Sequence, residues 1–272
     1  MTSAPLIAPA PAKINLALVV GPPRPDGKHE LVTVFQRVDL GDRIRVEPAR
    51  ETRISGFPED TIVRDALLLL DARQGWHVHI DKQIPLGAGL GGGSSDAATA
   101  LRLANEQLPQ PLASERLIDL AAAVGADVPF FLRDGPQVGT GDGSTLEPVD
   151  LPQDFAVLLL LPAGAHKGST AEVYADFDRR GGADGFDERA ATLRSALDAV
   201  RRPRDLGTLP ANDLACSPLA AELRAHGAFR ADVSGAGPML YGLFHRVADA
   251  RRAARALGHL GRIWITVPAW YG

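Results

Sequence analysis

The sequence predicts an α/β (α+β) protein of two domains. Three observations carry that expectation: strand-forming segments open the chain, a glycine-rich stretch joins a strand to a helix at residues 84–108, and buried strands alternate with amphipathic helices through the second half. At 272 residues, 45% of them hydrophobic and 23% charged, the chain can fill one large core or two smaller ones, and two suit this length better.

Taken in order, "KINLALVV", "LVTVFQRVDL" and "DRIRVEPA" are rich in β-branched residues and punctuated by Gly, Pro and Asp, so three strands begin the chain. "DTIVRDALLLLDAR" has helical spacing behind a cap at Asp60 or Thr61, and "WHVHIDKQI" alternates as a strand up to Pro85. Beyond the glycine stretch, "SERLIDLAAAVG", "DERAATLRSALDAVRR", "PLAAELRAHG" and "RVADARRAARALG" read as amphipathic helices. "QVGTGDGSTLEPV" reads as a hairpin, and "FAVLLLLP", "FRADVSGAGPMLYGLF" and "RIWITVPAW" supply later strands. "RRGGADGFD" is expected to be a mobile surface loop. Pro and Asp in "EPVDLPQD" mark the boundary between domains at 1–149 and 150–272.

A formal net charge of −4 without a basic stripe argues against nucleic acid as a partner and favours a small-molecule substrate. The single cysteine, Cys216, forms no intrachain disulfide, and prolines interrupt any apolar core of a leader in "MTSAPLIAPAPAK". No apolar run approaches the ~20 residues that span a bilayer, so no membrane association and a cytoplasmic location are expected. The sequence assigns no oligomeric state.

In "IPLGAGLGGGSSDAATALRLANEQL", glycines precede a helix whose first residues include Ser94, Ser95 and Asp96. Unpaired N–H groups at a helix start attract anions, and glycines let a phosphate approach the backbone. The bland alternative is a close strand–helix crossing. Gly87, Gly89 and Gly92 fit G-x-G-x-x-G, but a dinucleotide fold needs an acidic residue ending the next strand, and Glu106 lies near a helix end. A Walker A loop needs Lys before Ser or Thr, which is missing here.

The remaining pattern, Pro-x-Gly-x-Gly-Leu-Gly-Gly-Gly-Ser-Ser-Asp-Ala-Ala, resembles the phosphate loop of the GHMP kinases. "APAKINLALVV", "DGKHELVTVFQRVDLGD" at 26–42, "GADVPFFL" at 125–132 and "SGAGPMLYGLF" at 234–244 are similar to one branch, whose alcohol substrate carries a cytidine headgroup. The resemblance implies a two-domain GHMP kinase fold, with an N-terminal ATP-binding domain and a C-terminal ferredoxin-like domain. It also implies ATP and Mg²⁺ as cofactors.

By that resemblance, Pro85, Leu86, Gly87, Ala88, Gly89, Leu90, Gly91, Gly92, Gly93, Ser94, Ser95 and Asp96 wrap the ATP phosphates, while Lys82 and Asp60 map near the adenosine. The two serines would cap the helix. The metal ligands stay unassigned, with the hydroxyl of Ser94 or Ser95 as the candidate for Mg²⁺. Lys13 and Asp127 fall beside the hydroxyl to be phosphorylated, Asp127 as general base and Lys13 as the cation that orients the pair. Phosphoryl transfer asks for such positioning and charge compensation. Asn15, Lys28, His29 and Tyr174 match substrate-binding positions, with His29 at an edge of the cytosine and Tyr174 against its face.

Two departures stand out. Where the family reads Asp-Gly-Tyr-His, this chain has Asp26-Gly27-Lys28-His29, so an aromatic gives way to an alkyl stem or an ammonium free to reach a diphosphate. Asp60 stands where the family has Asn. The alternatives are a small-alcohol kinase with a non-cytidyl substrate, or a non-catalytic ligand sensor of the same fold, which retention of both Lys13 and Asp127 disfavours. His77 and His79 share a strand face without a third metal ligand in view. Arg246, Arg251, Arg252 and Arg255 form a solvated helix surface, and Cys216 is read as inert.

Overall fold

The computed structural model describes residues 4–165 and 169–269; the end of "RIWITVPAW", at Trp270, lies outside the described residues. The chain forms two compact units that interleave in sequence. Unit one takes the N-terminal residues to Ala12, Leu40–Leu86 and Gly91–Asp134; unit two takes Lys13–Asp39, Gly87–Leu90 and the chain from Gly135 onward. Two long strands, β1 (Leu6–Pro23) and β2 (His29–Ala49), each run through both.

The sequence predicts two strands where the chain makes the single β2. Gly41 and Asp42 look like turn residues, yet a Cβ at Gly41 would stand 2.9 Å from the Ala10 carbonyl oxygen. The glycine therefore serves a close approach of β1 and not a turn.

In unit one, the second half of β2 pairs antiparallel with β4 (Gly75–Asp81), from Arg43 opposite Asp81 to Ala49 opposite Gly75. The short β3 (Arg53–Ser55) joins β4 in parallel. Period-two alternation buries Trp76, Val78 and Ile80 of β4. Helices α1 (Ile62–Leu70), α2 (Gly92–Glu106) and α3 (Ser114–Val124) cover that face with Val63, Leu67, Ala97, Leu101 and Ala121. Strand β4 ends before Lys82, shorter than the alternation predicts.

In unit two, the first half of β2 pairs with β5 (Gln137–Gly141), which turns back into β6 (Thr145–Pro148) as the predicted hairpin. There follow β7 (Ala156–Pro162), α4 (Thr170–Arg179), α5 (Phe186–Ala199), α6 (Leu219–Ala225), β8 (Arg230–Val233), β9 (Leu240–Phe244), α7 (Val247–Leu257) and β10 (Gly261–Thr266). The last four strands form an antiparallel sheet in the order β10-β7-β9-β8, which is the ferredoxin-like arrangement. Leu158, Leu160, Leu240 and Phe244 meet Leu223, Ala250, Ala253 and Leu257 in its core.

The segment "RRGGADGFD", expected to be a mobile surface loop, lies at the surface and joins the end of α4 to the start of α5 through hydrogen-bonded turns. Gly182 donates its N–H to the Phe177 carbonyl at 3.0 Å, Arg189 donates to the Gly182 carbonyl at 2.8 Å, and a Cβ at Gly182 would meet the Phe177 ring at 2.4 Å. Among the described residues, no helix is long and apolar enough to cross a membrane.

One buried guanidinium ties the ferredoxin-like sheet to the segment before α6. Arg230 donates to Tyr241 Oη at 2.9 Å and to the carbonyls of Leu209 at 2.6 Å and Pro210 at 2.8 Å. Tyr241 in turn donates to the Leu16 carbonyl at 3.1 Å. Arg230→Met would strand these buried acceptors, so the unfolding free energy is expected to fall by about 3 kcal/mol. Urea denaturation measures it; a loss below about 1 kcal/mol would mean that the carbonyls find other donors.

Candidate active site

The glycine loop follows β4 and leads into α2. Gly87, Gly89 and Gly91 have φ of +63°, +85° and +69°, a region that only glycine enters freely. At Gly89 space forbids a side chain as well, since a Cβ would lie 2.3 Å from the Ser234 carbonyl oxygen. Gly91 is the N-cap of α2, and the first intrahelical bond runs from Ser95 N–H to the Gly91 carbonyl at 2.9 Å. The N–H groups of Gly92, Gly93 and Ser94 therefore have no carbonyl one turn back in the helix, the arrangement that receives phosphate oxygens.

The expected serine cap is not formed: Ser94 and Ser95 lie inside the first turn, and no side chain caps it. Ser95 is fully buried, and its Oγ finds no hydrogen-bond partner. The cap falls to a glycine because the chain enters the helix in a left-handed conformation, which serine avoids.

Within unit two, three consecutive loop carbonyls are occupied. Ala88 accepts from Met239 N–H at 3.1 Å, Gly89 from Ser234 Oγ at 3.0 Å and Leu90 from Lys13 N–H at 2.9 Å. Lys13 and Asn15 alternate on β1 and are both buried. Lys13 Nζ donates to Asn15 Oδ1 at 2.7 Å, Asn15 Nδ2 donates to Thr33 Oγ1 at 2.8 Å, and Thr33 Oγ1 donates to the Ala17 carbonyl at 2.9 Å. A Cβ at Gly235 would lie 3.3 Å from Asn15 Oδ1, 3.4 Å from the Gly89 carbonyl and 3.6 Å from Lys13 Nζ. Asn212 holds this turn in place, donating to the carbonyls of Val233 at 2.9 Å and Gly235 at 2.6 Å. The lysine, the asparagine and the loop thus converge on one glycine.

In unit one, Asp127 sits half-buried in the turn after α3, where Val128 N–H bonds to the Gly125 carbonyl at 3.1 Å. Val128 and Phe130 beside it are fully buried and anchor the turn. Asp60 Oδ1 accepts the Val63 N–H at 2.7 Å, so Asp60 and not Thr61 supplies the capping bond of α1. Burial pushes its carboxyl upward against that bond and the charge of Lys82. Lys82 lies between two buried carboxylates, at 2.6 Å from Asp42 Oδ2 and 2.8 Å from Asp96 Oδ2. Burial, together with the neighbouring charge of Asp42, pushes Asp96 from 3.8 up to about 8 despite Lys82.

His29 and Tyr174 come together in unit two, with ring centroids 4.7 Å apart and planes inclined at 31°. His29 Nε2 is 2.8 Å from Asp178 Oδ1, and the buried Phe177 meets the imidazole edge-on at 6.0 Å. Tyr174, Phe177 and Asp178 share α4, whose start carries a capping box between Ser169 and Glu172. The Lys28 ammonium is not left free: it pairs with Asp142 at 2.5 Å. Burial opposes ionisation of Asp142, but hydrogen bonds from Lys28 and Ser144 outweigh it and bring the carboxyl down to about 2.

His77 bonds Glu47 at 2.9 Å and Ser55 Oγ at 3.0 Å, and His79 bonds the same hydroxyl at 3.0 Å. No group of three metal-ligating side chains gathers among the described residues. Residues missed by sequence reasoning are Asp42, Asp142, Asp178, Asn212 and Ser234. Each acts on a partner distant in sequence; Asp42, which ends the 26–42 stretch, Asp142, inside "QVGTGDGSTLEPV", and Ser234, which opens "SGAGPMLYGLF", stood in stretches that already drew notice, but nothing local assigned them a partner.

Asp96 sets a pH dependence. A carboxyl raised in the folded state contributes stability that is fully present below its unfolded value of 3.8 and is lost as pH rises through about 8. Asp96→Asn is expected to abolish that loss, so the variant gains on the parent protein between pH 5 and pH 8 by at most about 1.4 kcal/mol per pH unit. Urea midpoints across the range check it; parallel profiles would show that Asp96 holds no extra proton.

Comparison with known proteins identifies the family and the fold. The GHMP kinases N terminal domain matches residues 60–135, and the GHMP kinases C terminal matches residues 217–263. A 4-diphosphocytidyl-2-C-methyl-D-erythritol kinase of Kineococcus radiotolerans is 40% identical over 276 residues, covering 91% of this chain and 84% of its own. A crystal structure of a 4-(cytidine 5'-diphospho)-2C-methyl-D-erythritol kinase superposes with a TM-score of 0.75 at 33% identity, covering 97% of this chain and 100% of that one. The mevalonate kinase of Methanococcus jannaschii shares the fold, with a TM-score of 0.76 at 14% identity over 98% of this chain and 99% of that one. On the loop, the ferredoxin-like sheet and this identity along nearly the whole length, the chain belongs to the 4-diphosphocytidyl-2-C-methyl-D-erythritol kinase family of GHMP kinases.

Proposed function

We propose that the protein transfers the γ-phosphoryl group of ATP to the 2-hydroxyl of 4-diphosphocytidyl-2-C-methyl-D-erythritol, giving ADP and the 2-phosphate in the non-mevalonate route to isoprenoid precursors. The observation that carries this reading is the seating of the glycine loop on Lys13: the backbone N–H of Lys13 holds the Leu90 carbonyl, and Asn15 holds its ammonium. The N–H groups that open α2 receive the phosphates. Lys82 and Asp60 stand toward the adenosine in the same proposal, and 1–149 and 150–272 are its N-terminal and C-terminal modules.

Asp127 accepts the hydrogen bond of the attacking hydroxyl and, late in a loose transition state, its proton. Lys13 orients that pair and offsets the developing negative charge. Mg²⁺ fits the loop through hydroxyl donors: Ser95 Oγ is buried without a partner, and Ser94 is beside it. Such an ion would be held by these hydroxyls together with the nucleotide and would supply charge neutralisation for the transferred phosphoryl group. On the substrate side, His29 addresses the cytosine edge and Tyr174 its face. With its ammonium on Asp142, Lys28 offers the base an alkyl stem in place of the family's aromatic ring.

The purified protein with ATP and Mg²⁺ is expected to release ADP only when the cytidyl-methylerythritol acceptor is present. Equal turnover of mevalonate or homoserine would move the protein elsewhere in the superfamily, and no acceptor-dependent ADP would make it a sensor. Asp127→Asn keeps the size of the side chain and removes its charge, so kcat is expected to fall at least ~100-fold with KM nearly unchanged. A variant that keeps most of its kcat would take Asp127 out of the chemistry.

A further inference from the structure

A single side chain ties the two ends of the glycine loop together. Asp42, within β2, is buried. Its Oδ1 accepts the N–H groups of Gln83 at 2.5 Å and Ile84 at 2.8 Å, the last residues before Pro85. Its Oδ2 accepts Lys82 Nζ at 2.6 Å, and the same ammonium donates at 2.8 Å to Asp96, just inside α2 beyond the loop. A Cβ at Gly92, the first residue of α2, would lie 3.1 Å from the Ile84 side chain and 3.3 Å from Lys82 Nζ. Entry and exit are therefore in contact, and Asp42 bonds the entry directly and the exit through Lys82.

A segment so rich in glycine has many conformations of similar energy, and little in its own composition fixes the distance between its ends. We propose that Asp42 is a positioning residue for the phosphate loop: by clamping residues 82–84 to the start of α2, it sets the loop amides for ATP before the nucleotide arrives. It acts through backbone amides and Lys82 and not on the reacting atoms. The entropy of ordering the loop is then met during folding and not during binding, which raises nucleotide affinity. The proposal rests on the kinase reading above. A merely structural role would weaken everything together, whereas a loop clamp separates ATP from the alcohol.

The test uses the full chain with Asp42→Asn and Asp42→Ala beside the parent protein. ATP binding is titrated by calorimetry without acceptor, and steady-state rates follow. Asn keeps an oxygen for the two amides but loses the charge on Lys82, so ATP affinity is expected to fall about threefold; Ala loses both, and the fall is about tenfold or more. KM for ATP rises in parallel, while kcat at saturating ATP and KM for the alcohol stay within about twofold. Unchanged ATP affinity in the Ala variant would overturn the proposal, as would a joint loss of kcat, both KM values and the thermal midpoint. If the Ala variant does not fold, the Asn variant decides, and affinity equal to that of the parent overturns the proposal. A parent protein that binds no ATP removes the kinase reading and the proposal with it; a parent that binds ATP alongside indistinguishable variants removes the proposal alone.

Discussion

Three adjacent carbonyl oxygens, those of Ala88, Gly89 and Leu90, must each find a donor, and much of unit two is arranged around that requirement. Buried backbone acceptors left unpaired are costly. The donors come from β1 and from the turn between β8 and β9, so the loop is fastened at residues far apart in the chain. The fastening is itself supported in depth. Arg230 secures the segment that leads to Asn212, Asn212 holds the turn at Gly235, and Gly235 lies against Asn15, Lys13 and the Gly89 carbonyl. Glycine at 89 follows from that crowding as much as from backbone conformation, whereas at 235 the positive φ of +56° is the stronger demand.

Features encoded in contiguous residues were legible in the sequence. The glycine loop was readable as a turn into a helix because positive φ and close backbone approach demand residues without side chains there, and the β5–β6 hairpin because its turn residues are local. Trp76, Val78 and Ile80 announced β4 through alternation. The fused β2 was not legible, because Gly41 and Asp42 have turn character and only the passage of Ala10 shows why glycine is needed there. The helix start was misread for a related reason. Serine is the better cap in general, but a left-handed entry at Gly91 overrides that preference. Asp42, Asp142 and Asp178 carried no local signal, since each bonds a side chain or an amide that the fold alone brings near.

Charge is handled differently in the two units. In unit one a single ammonium serves two buried carboxylates, and burial together with the charge of Asp42 pushes the Asp96 carboxyl up to about 8. At residue 28 in unit two, a single ammonium meets a single carboxylate, that of Asp142. The lysine at residue 28 thus has its own counterion. The position keeps an ordered side chain without adding an unmatched charge.

The course of β1 and β2 through both units has a consequence for how the chain is made. As synthesis proceeds, Leu6–Pro23 and His29–Ala49 leave the ribosome ahead of the later strands, yet neither strand can be completed from its immediate neighbours. Asp39 donates its N–H to the carbonyl of Val267, and Ala269 donates to that of Arg37, so part of β2 waits for a segment translated much later. Neither unit is a continuous stretch of chain, and no single cut releases one whole. Contacts of such sequence separation make assembly a late and slow event. During that interval the apolar strand faces lack their final partners, and a nascent chain stalled before β10 would leave them exposed.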